Sequence, residues 1–173
     1  MKKITLFAIL AFAVFSSSAY AQTVVSEAAT ATATIITPIA ITKVANMNFG
    51  EISTNGTNGT VILTPAGERS AAGGASFSTA PGEITSAKFT VTGKAGYGYS
   101  VSIPTTITLK QTGGSATMDV TSITNSIGIP GTAGTLTGGT QDIFVGGTLN
   151  LVGAQLAGVY TNTADLKVTV NYN

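Results

Sequence analysis

A strict alternation of apolar and polar residues near the end of the sequence constrains the fold most strongly. Its apolar positions are Leu166, Val168, Val170 and Tyr172, each separated from the next by one polar residue. Successive side chains of a β-strand point to opposite faces of a sheet. The spacing therefore predicts a strand that lays one face on an apolar core and turns the other to water.

Similar patterns recur in the middle of the sequence. Tyr97, Tyr99, Val101 and Ile103 share one face of a second predicted strand, and residues 87–92 alternate in the same way. The short glycine-containing stretch 93–96 between them predicts a hairpin. Residues 61–63 are apolar without a break, which indicates a strand covered on both faces.

The remaining sequence favours further short strands. Val, Ile and Thr occur in bursts split by Gly, Asn and Pro, and no stretch sustains the apolar spacing of a helix. Residues 55–60, with two Asn-Gly pairs, and residues 127–140 have the composition of turns and loops. We expect an all-β, immunoglobulin-like two-sheet antiparallel β-sandwich of about nine or ten strands with almost no helix. The weaker strand candidates are 35–43, 47–52, 107–110, 118–123, 143–151 and 155–160.

The first 21 residues have the order of a secretory signal peptide. Lys2 and Lys3 precede an apolar run over residues 4–15, and Ala19-Tyr20-Ala21 supplies a cleavage site. A membrane anchor needs about 20 apolar residues, which this run lacks, and no second such run follows. We expect export to the periplasm, the outer surface or the medium, with residues 22–34 as an N-terminal arm and residues 35–173 as the sandwich domain.

The composition excludes several classes of chemistry. The chain contains no His and no Cys, which removes Ser-His-Asp and Cys-His triads, disulfides and the usual zinc sites. Without Lys2 and Lys3 the 8 basic residues become 6 against 7 acidic ones, so no basic surface for nucleic acid is expected. Glu68-Arg69 is interpreted as a solvated ion pair or a contact that sets register. We expect no enzyme, metal or cofactor, since the acidic residues show neither a recognisable pair nor the spacing of a calcium loop. The acidic residues are Glu27, Glu51, Glu68, Glu83, Asp119, Asp142 and Asp165.

The N-terminal arm suggests how the protein associates. Small or apolar residues recur on one side of it, preceded by two valines, and the set is Val24, Val25, Ala29, Ala31, Ala33 and Ile35. If the final predicted strand is the edge of a sheet, its unpaired N–H and C=O groups invite strand addition by the arm of a second copy. The alternative is that the arm pairs within its own subunit as the first strand.

Several short phrases recur in order from about residue 33 to residue 173. They are Met47-Asn48-Phe49-Gly50, residues 59–65 with Gly67, Arg69 and Gly73-Gly74, Phe89–Gly93 with Tyr99–Val101, Val145–Leu149, and Gly158-Val159-Tyr160 with Val168–Tyr172. Together they resemble a bacterial secreted family catalogued as domain of unknown function 4402. The ending is also remotely similar to subunits of archaic chaperone-usher pilins and of spore-coat-U-like proteins, although those relatives commonly carry a disulfide. The family resemblance supports export and the domain limits.

These observations lead to three functional hypotheses. The first is a non-enzymatic structural or cell-surface protein that associates with copies of itself or with an envelope partner. The alternative is a carbohydrate-binding module in which Tyr97 and Tyr99 form a stacking platform, although a core role would give the same spacing. An enzyme that uses carboxylates alone is the third.

Overall fold

The computed structural model describes residues 23–127 and 133–173, and in these ranges the protein contains β-strands and no helix. The chain divides into a unit of residues 1–34 and a unit of residues 35–173. Residues 23–34 of the first unit form no strand, and their side chains are exposed. The predicted signal peptide lies outside the described residues.

Eleven strands are present in the described residues of the second unit. The count is higher than predicted. Their bounds are β1 Ala40–Ala45, β2 Ile52–Leu63, β3 Arg69–Phe77, β4 Ala87–Thr92, β5 Gly98–Ser102, β6 Ile107–Gln111, β7 Thr117–Asn125, β8 Ala133–Thr135, β9 Thr140–Leu151, β10 Tyr160–Thr161 and β11 Thr169–Tyr172.

The strands form two antiparallel sheets, which confirms the all-β, two-sheet prediction. The larger sheet has eight strands in the order β1-β4-β9-β7-β6-β10, and the hairpin of β2 and β3 joins it through β9. The smaller sheet has three strands in the order β11-β5-β8. Consecutive strands β4 and β5 therefore belong to different sheets, and the predicted hairpin at residues 93–96 is wrong.

Strand β9 is the centre of the larger sheet. On one side β7 accompanies it, while on the other side β4 pairs with its first half and β2 with its second half. The change of neighbour falls at Gly146 and Gly147. A Cβ at Gly146 would collide with the Leu63 carbonyl oxygen, and one at Gly147 would lie 2.8 Å from Val120 Cγ1. Glycine is required here because three strands converge on one point.

The β2–β3 hairpin has the turn that Pro65 and Gly67 predict, but it differs from the prediction at residues 55–60. Its turn lies at residues 64–68, where Gly67 N donates to the Thr64 carbonyl oxygen at 2.9 Å and Gly67 has φ +85°. The Asn-Gly pairs at residues 55–60 lie inside β2, where the register with β3 shifts between Thr54 and Gly59. The predicted turn is therefore a bulge within one long strand.

Several other sequence predictions need correction. Of the predicted strand 155–160, residues 155–159 form a loop and only Tyr160 belongs to the two-residue strand β10. Residues 47–52 contribute an isolated bridge from Asn48 to Thr85 and only the first residue of β2. The predicted loop 127–140 contains β8, while its residues 128–132 are outside the described part. Ile62 is 43% exposed, so β2 is covered on one face at this point.

The core lies between the two sheets. It consists of the side chains that point inward from every second residue of the strands. Tyr99 and Val101 from β5 face Val91 and Val145 from the larger sheet, and none of the four is more than 1% exposed. At about 1.5 to 3 kcal/mol per fully buried large apolar side chain, this burial is the main source of stability in a chain without disulfides.

Candidate functional site

The last strand, β11, lies at the edge of the three-stranded sheet. It pairs with β5 over Thr169–Tyr172, and among the described strands it has no neighbour on its other side. An edge strand presents unpaired N–H and C=O groups along its free side. The structure therefore places an open edge at the end of the described chain.

The apolar face of this final segment is only half covered. Leu166, Val168, Val170 and Tyr172 all pack against the core as predicted, but each remains partly exposed. On the paired strand β5, by contrast, Val101 is 1% exposed. We call these four residues the β11 apolar row, and it is the place where the core of this sheet opens to solvent.

A second edge strand lies next to the β11 apolar row. Strand β1 pairs with β4 alone among the described strands, and it contacts β11 across the gap between the sheets. Ile39 and Ile41 pack against the core and are partly buried. Two neighbouring edges from different sheets thus border the same half-covered apolar surface.

Tyr172 fixes the end of β11 in place. Its hydroxyl donates to the Thr37 carbonyl oxygen at 2.8 Å and accepts from the Lys94 backbone N–H at 2.6 Å. Its ring meets that of Tyr97 edge to face, with 5.6 Å between centroids. A Cβ at Gly93 would collide with the Tyr172 hydroxyl, so glycine permits this close approach. The hydrogen-bond partners of the Tyr172 hydroxyl are backbone atoms, and no pattern in the sequence predicts them.

The arm residues are solvent-exposed in the structure. Val24 and Val25 are 88% and 82% exposed, and Ala29, Ala31 and Ala33 are exposed as well. Ile35, the first residue of the second unit, is 97% exposed. The predicted strand 35–43 begins later than expected, at Ala40.

The two tyrosines proposed as a glycan platform are separated by burial. Tyr97 is 41% exposed, whereas Tyr99 is fully buried with its hydroxyl donating to Gln141 Oε1 at 2.8 Å. Burial raises the pKa of the Tyr99 phenol above its ordinary value. Tyr99 packs on Gly134, where any Cβ would lie 2.6 Å from the ring. The platform of two exposed rings is therefore wrong, because Tyr99 is a core residue.

The acidic residues make local surface contacts. Asp142 accepts from Lys88 Nζ at 2.8 Å and from Thr90 Oγ1 at 2.7 Å. The hydrogen bond from Lys88, followed by that from Thr90, lowers the pKa of the Asp142 carboxyl. Asp119 accepts from Thr108 on the adjacent strand. Within residues 23–127 and 133–173 no three His, Cys, Asp or Glu side chains are grouped to hold a metal ion.

Of the two interpretations of Glu68-Arg69, the ion pair is wrong, and Arg69 makes other contacts. Its guanidinium donates to the Phe49 and Glu51 carbonyl oxygens and stacks on the Phe77 ring at 3.8 Å from the centroid. No ion pair between Glu68 and Arg69 is present in the described structure. Arg69 thus fastens the turn before β2 to the start of β3.

A shallow depression of about 390 Å³ lies on the β2, β3 and β9 part of the larger sheet. Its lining includes Asn58, Thr60 and Asn150, together with glycine, alanine, leucine and valine. These residues include no acid, base or nucleophile suited to catalysis. The described residues also include no helix that is long and apolar enough to cross a bilayer.

The fold and the open edge define an all-β protein of two antiparallel sheets, in which the last described strand is paired on one side only. The chain belongs to the family described as Domain of unknown function (DUF4402), whose model matches residues 39–172. The searches of curated proteins and of solved structures gave no match. The matched residues include β1, the final strand and nearly all of the second unit, so the open edge lies within the family domain.

Proposed function

We propose that this protein is an exported, non-enzymatic structural or cell-surface protein that acts by associating with copies of itself or with an envelope partner. In the mode that we favour, residues 23–34 of one copy add as a strand to the free edge of β11 in another. The half-covered β11 apolar row beside an unpaired strand edge is the observation that carries this proposal.

Strand addition would supply both the hydrogen-bond partners and the apolar cover that the β11 edge lacks. The main-chain groups of an added strand pair with the free N–H and C=O groups of β11, and its inward side chains cover the apolar row. Val168 and Val170, which are half-buried in the isolated chain, would then become core residues like Val101 on β5. The added strand would extend the three-stranded sheet on the free side of β11.

The arm has the properties of such a strand. Residues 23–34 have exposed side chains and form no strand in the described chain. At about 3.3 Å per residue an extended segment of this length outreaches β11 and the preceding Leu166–Val168 together. Ala29, Ala31 and Ala33 would face the core, and Thr30 and Thr32 would face water.

The small side chains of the arm limit how much apolar burial contributes to the affinity of strand addition. Burial of an alanine methyl contributes about 0.8 kcal/mol, less than a leucine or isoleucine contributes. Main-chain hydrogen bonds along the added strand must therefore supply much of the affinity. Ile35, with its exposed side chain, follows the alanines in the same alternation and adds a larger apolar contact if the strand extends that far.

The geometry of such a contact is head to tail. The arm and the β11 edge are different surfaces, so each copy donates one and accepts at the other, which generates a filament unless the rotation closes a ring. The mode is similar to the strand exchange of archaic chaperone-usher pilins, which the final strand resembles. Few charges and a threonine-rich exterior suit a bacterial surface polymer.

The test compares the processed chain, residues 22–173, with a variant that lacks residues 22–34. We expect the processed chain to form multimers in native mass spectrometry, and the truncated chain to be a folded monomer by circular dichroism and sedimentation. A synthetic peptide of residues 22–36 should then bind the truncated chain, whereas the same peptide with Ala31→Asp should not.

The cysteine-free background allows a direct test of the contact. Thr32→Cys in one copy and Asn171→Cys in another place single thiols on the solvent face of the proposed strand pair. A disulfide that forms only between differently labelled copies supports strand addition. A processed chain that stays monomeric at high concentration, or a truncated chain that unfolds, would overturn the proposal in favour of an arm that completes its own subunit.

A further inference from the structure

The bulge in β2 holds two copies of a chemically reactive dipeptide. Asn55-Gly56 and Asn58-Gly59 lie three residues apart, and each is followed by threonine. An asparagine followed by glycine can cyclise, because glycine has no side chain to obstruct attack by its own nitrogen on the asparagine amide. The structure places the two identical tripeptides in different surroundings.

Asn55 is arranged for this reaction. Its side-chain oxygen Oδ1 accepts from the Thr57 backbone N–H at 3.0 Å and from Thr57 Oγ1 at 2.8 Å. Both donors polarise the amide carbonyl and would stabilise negative charge on Oδ1 during attack at Cγ. The Gly56 N–H donates to the hydroxyl of exposed Thr54 at 3.2 Å, and Gly56 has no register partner in β3 or β9.

Asn58 is held back by its backbone. Its Oδ1 accepts from the Gly153 N–H at 2.8 Å, but Gly59, whose nitrogen would have to attack, is buried. Gly59 pairs with Gly73 on one side and with Leu151 on the other. Movement of its nitrogen toward Asn58 Cγ would displace Gly59 from its positions opposite Gly73 and Leu151.

We propose that Asn55 is a site of self-catalysed deamidation and that Asn58 is protected. The Gly56 nitrogen forms a bond to Asn55 Cγ, the bond from Cγ to the amide nitrogen breaks, and ammonia leaves with the proton from Gly56. Water then adds to either carbonyl carbon of the resulting succinimide and yields aspartate or isoaspartate. Each event gives the bulge a negative charge, and isoaspartate also lengthens the main chain of β2 by one carbon.

The test is peptide mapping by mass spectrometry of the folded chain after incubation in mildly alkaline buffer. We expect the mass change of an amide-to-acid conversion, with aspartate and isoaspartate products, at Asn55 and not at Asn58. Asn55→Gln should abolish it. In urea both sites should react at similar rates, since the sheet no longer restrains Gly59.

A matched pair of threonine variants separates the proposed mechanism from simple exposure. Thr57→Val removes one donor to Asn55 Oδ1 and should slow the reaction roughly threefold to tenfold, the effect of one modest hydrogen bond. Thr60→Val, the same change after the second Asn-Gly pair, should leave the rate unchanged. Equal rates at Asn55 and Asn58 in the folded chain, or no effect of Thr57→Val in a folded variant, would overturn the proposal.

Discussion

The hydroxyl of Tyr172 donates a hydrogen bond to the carbonyl oxygen of Thr37, 135 positions earlier in the sequence. The same hydroxyl accepts from Lys94 N–H in the connection between β4 and β5. One phenol therefore joins the segment before β1, the crossing between the two sheets, and the last strand. It lies beside the open edge on which the proposed association depends.

We expect Tyr172→Phe to lower the free energy of unfolding by about 0.5 to 1.5 kcal/mol, the net contribution of an ordinary hydrogen bond, because the exposed Lys94 N–H and Thr37 carbonyl lose this partner and are hydrated instead. The ring and its contact with Tyr97 are retained. Urea unfolding followed by circular dichroism measures the change. Tyr97→Phe is the matched control and should alter stability by less than about 0.5 kcal/mol. Equal effects of the two substitutions would contradict this role for the hydroxyl.

Gly146→Ala should destabilise the protein by about 3 kcal/mol or more, because the new methyl group meets the backbone of Leu63 and Thr64 and neither can move aside without disturbing β2. Thermal unfolding is the measurement. Gly138→Ala is the control, since a Cβ there meets nothing within 4 Å. A Gly146→Ala protein as stable as the Gly138→Ala protein would show that the strands around β9 are not as closely packed as described.

Burial of Tyr99 predicts a stability loss at alkaline pH. The phenol has a raised pKa in the folded state, so its contribution is fully present below the ordinary pKa of 10.0 and is lost as pH rises through the folded value. The Tyr99→Phe protein has no phenol at this position and therefore does not lose this contribution to stability. The stability of the two proteins, measured by urea unfolding, should therefore converge as the pH rises above about 10. Parallel curves would exclude Tyr99 as the titrating group.

The lowered pKa of Asp142 predicts the opposite dependence of stability on pH. Its pKa is lowered in the folded state, chiefly by the hydrogen bond from Lys88, so its contribution is present above the ordinary value of 3.8 and is lost as pH falls through the folded value. Asp142→Asn should be slightly less stable than the parent at neutral pH and equal to it in acid. Lys88→Gln should remove most of the difference between Asp and Asn at position 142. A difference that persists in acid would point to another cause.

Alternation and β-branched residues were sufficient to predict the long central strands. Ile107–Gln111, Thr117–Asn125 and Thr140–Leu151 all contain the strand candidates made from the sequence. Strand β3 was missed because its residues after Arg69 are Ser, Ala and Gly with a final Phe77, which have neither an apolar period nor a strong β propensity. Backbone pairing with β2 holds β3 in the sheet although its side chains have little β propensity.

Strand partners were harder to predict than the strands themselves. The glycines between Val91 and Tyr99 indicate a turn, but nothing local tells whether that turn returns to the same sheet or crosses to the other one. Tyr97 and Tyr99 have the spacing of one face, yet β5 begins only at Gly98 and Tyr97 turns outward. The β11 apolar row was predictable from alternation, whereas its incomplete cover depends on which strands happen to lie beside it.

The position of β9 has a consequence for how the chain folds during synthesis. Its neighbours β2, β4 and β7 all precede it, and β2 begins nearly 90 residues before β9 does. Such long-range pairings make folding slow, because loops must close before contacts repay the entropy. About four fifths of the polypeptide therefore precede the strand that joins β2, β4 and β7, and the large sheet is completed only after β10, which ends at Thr161, has been synthesised.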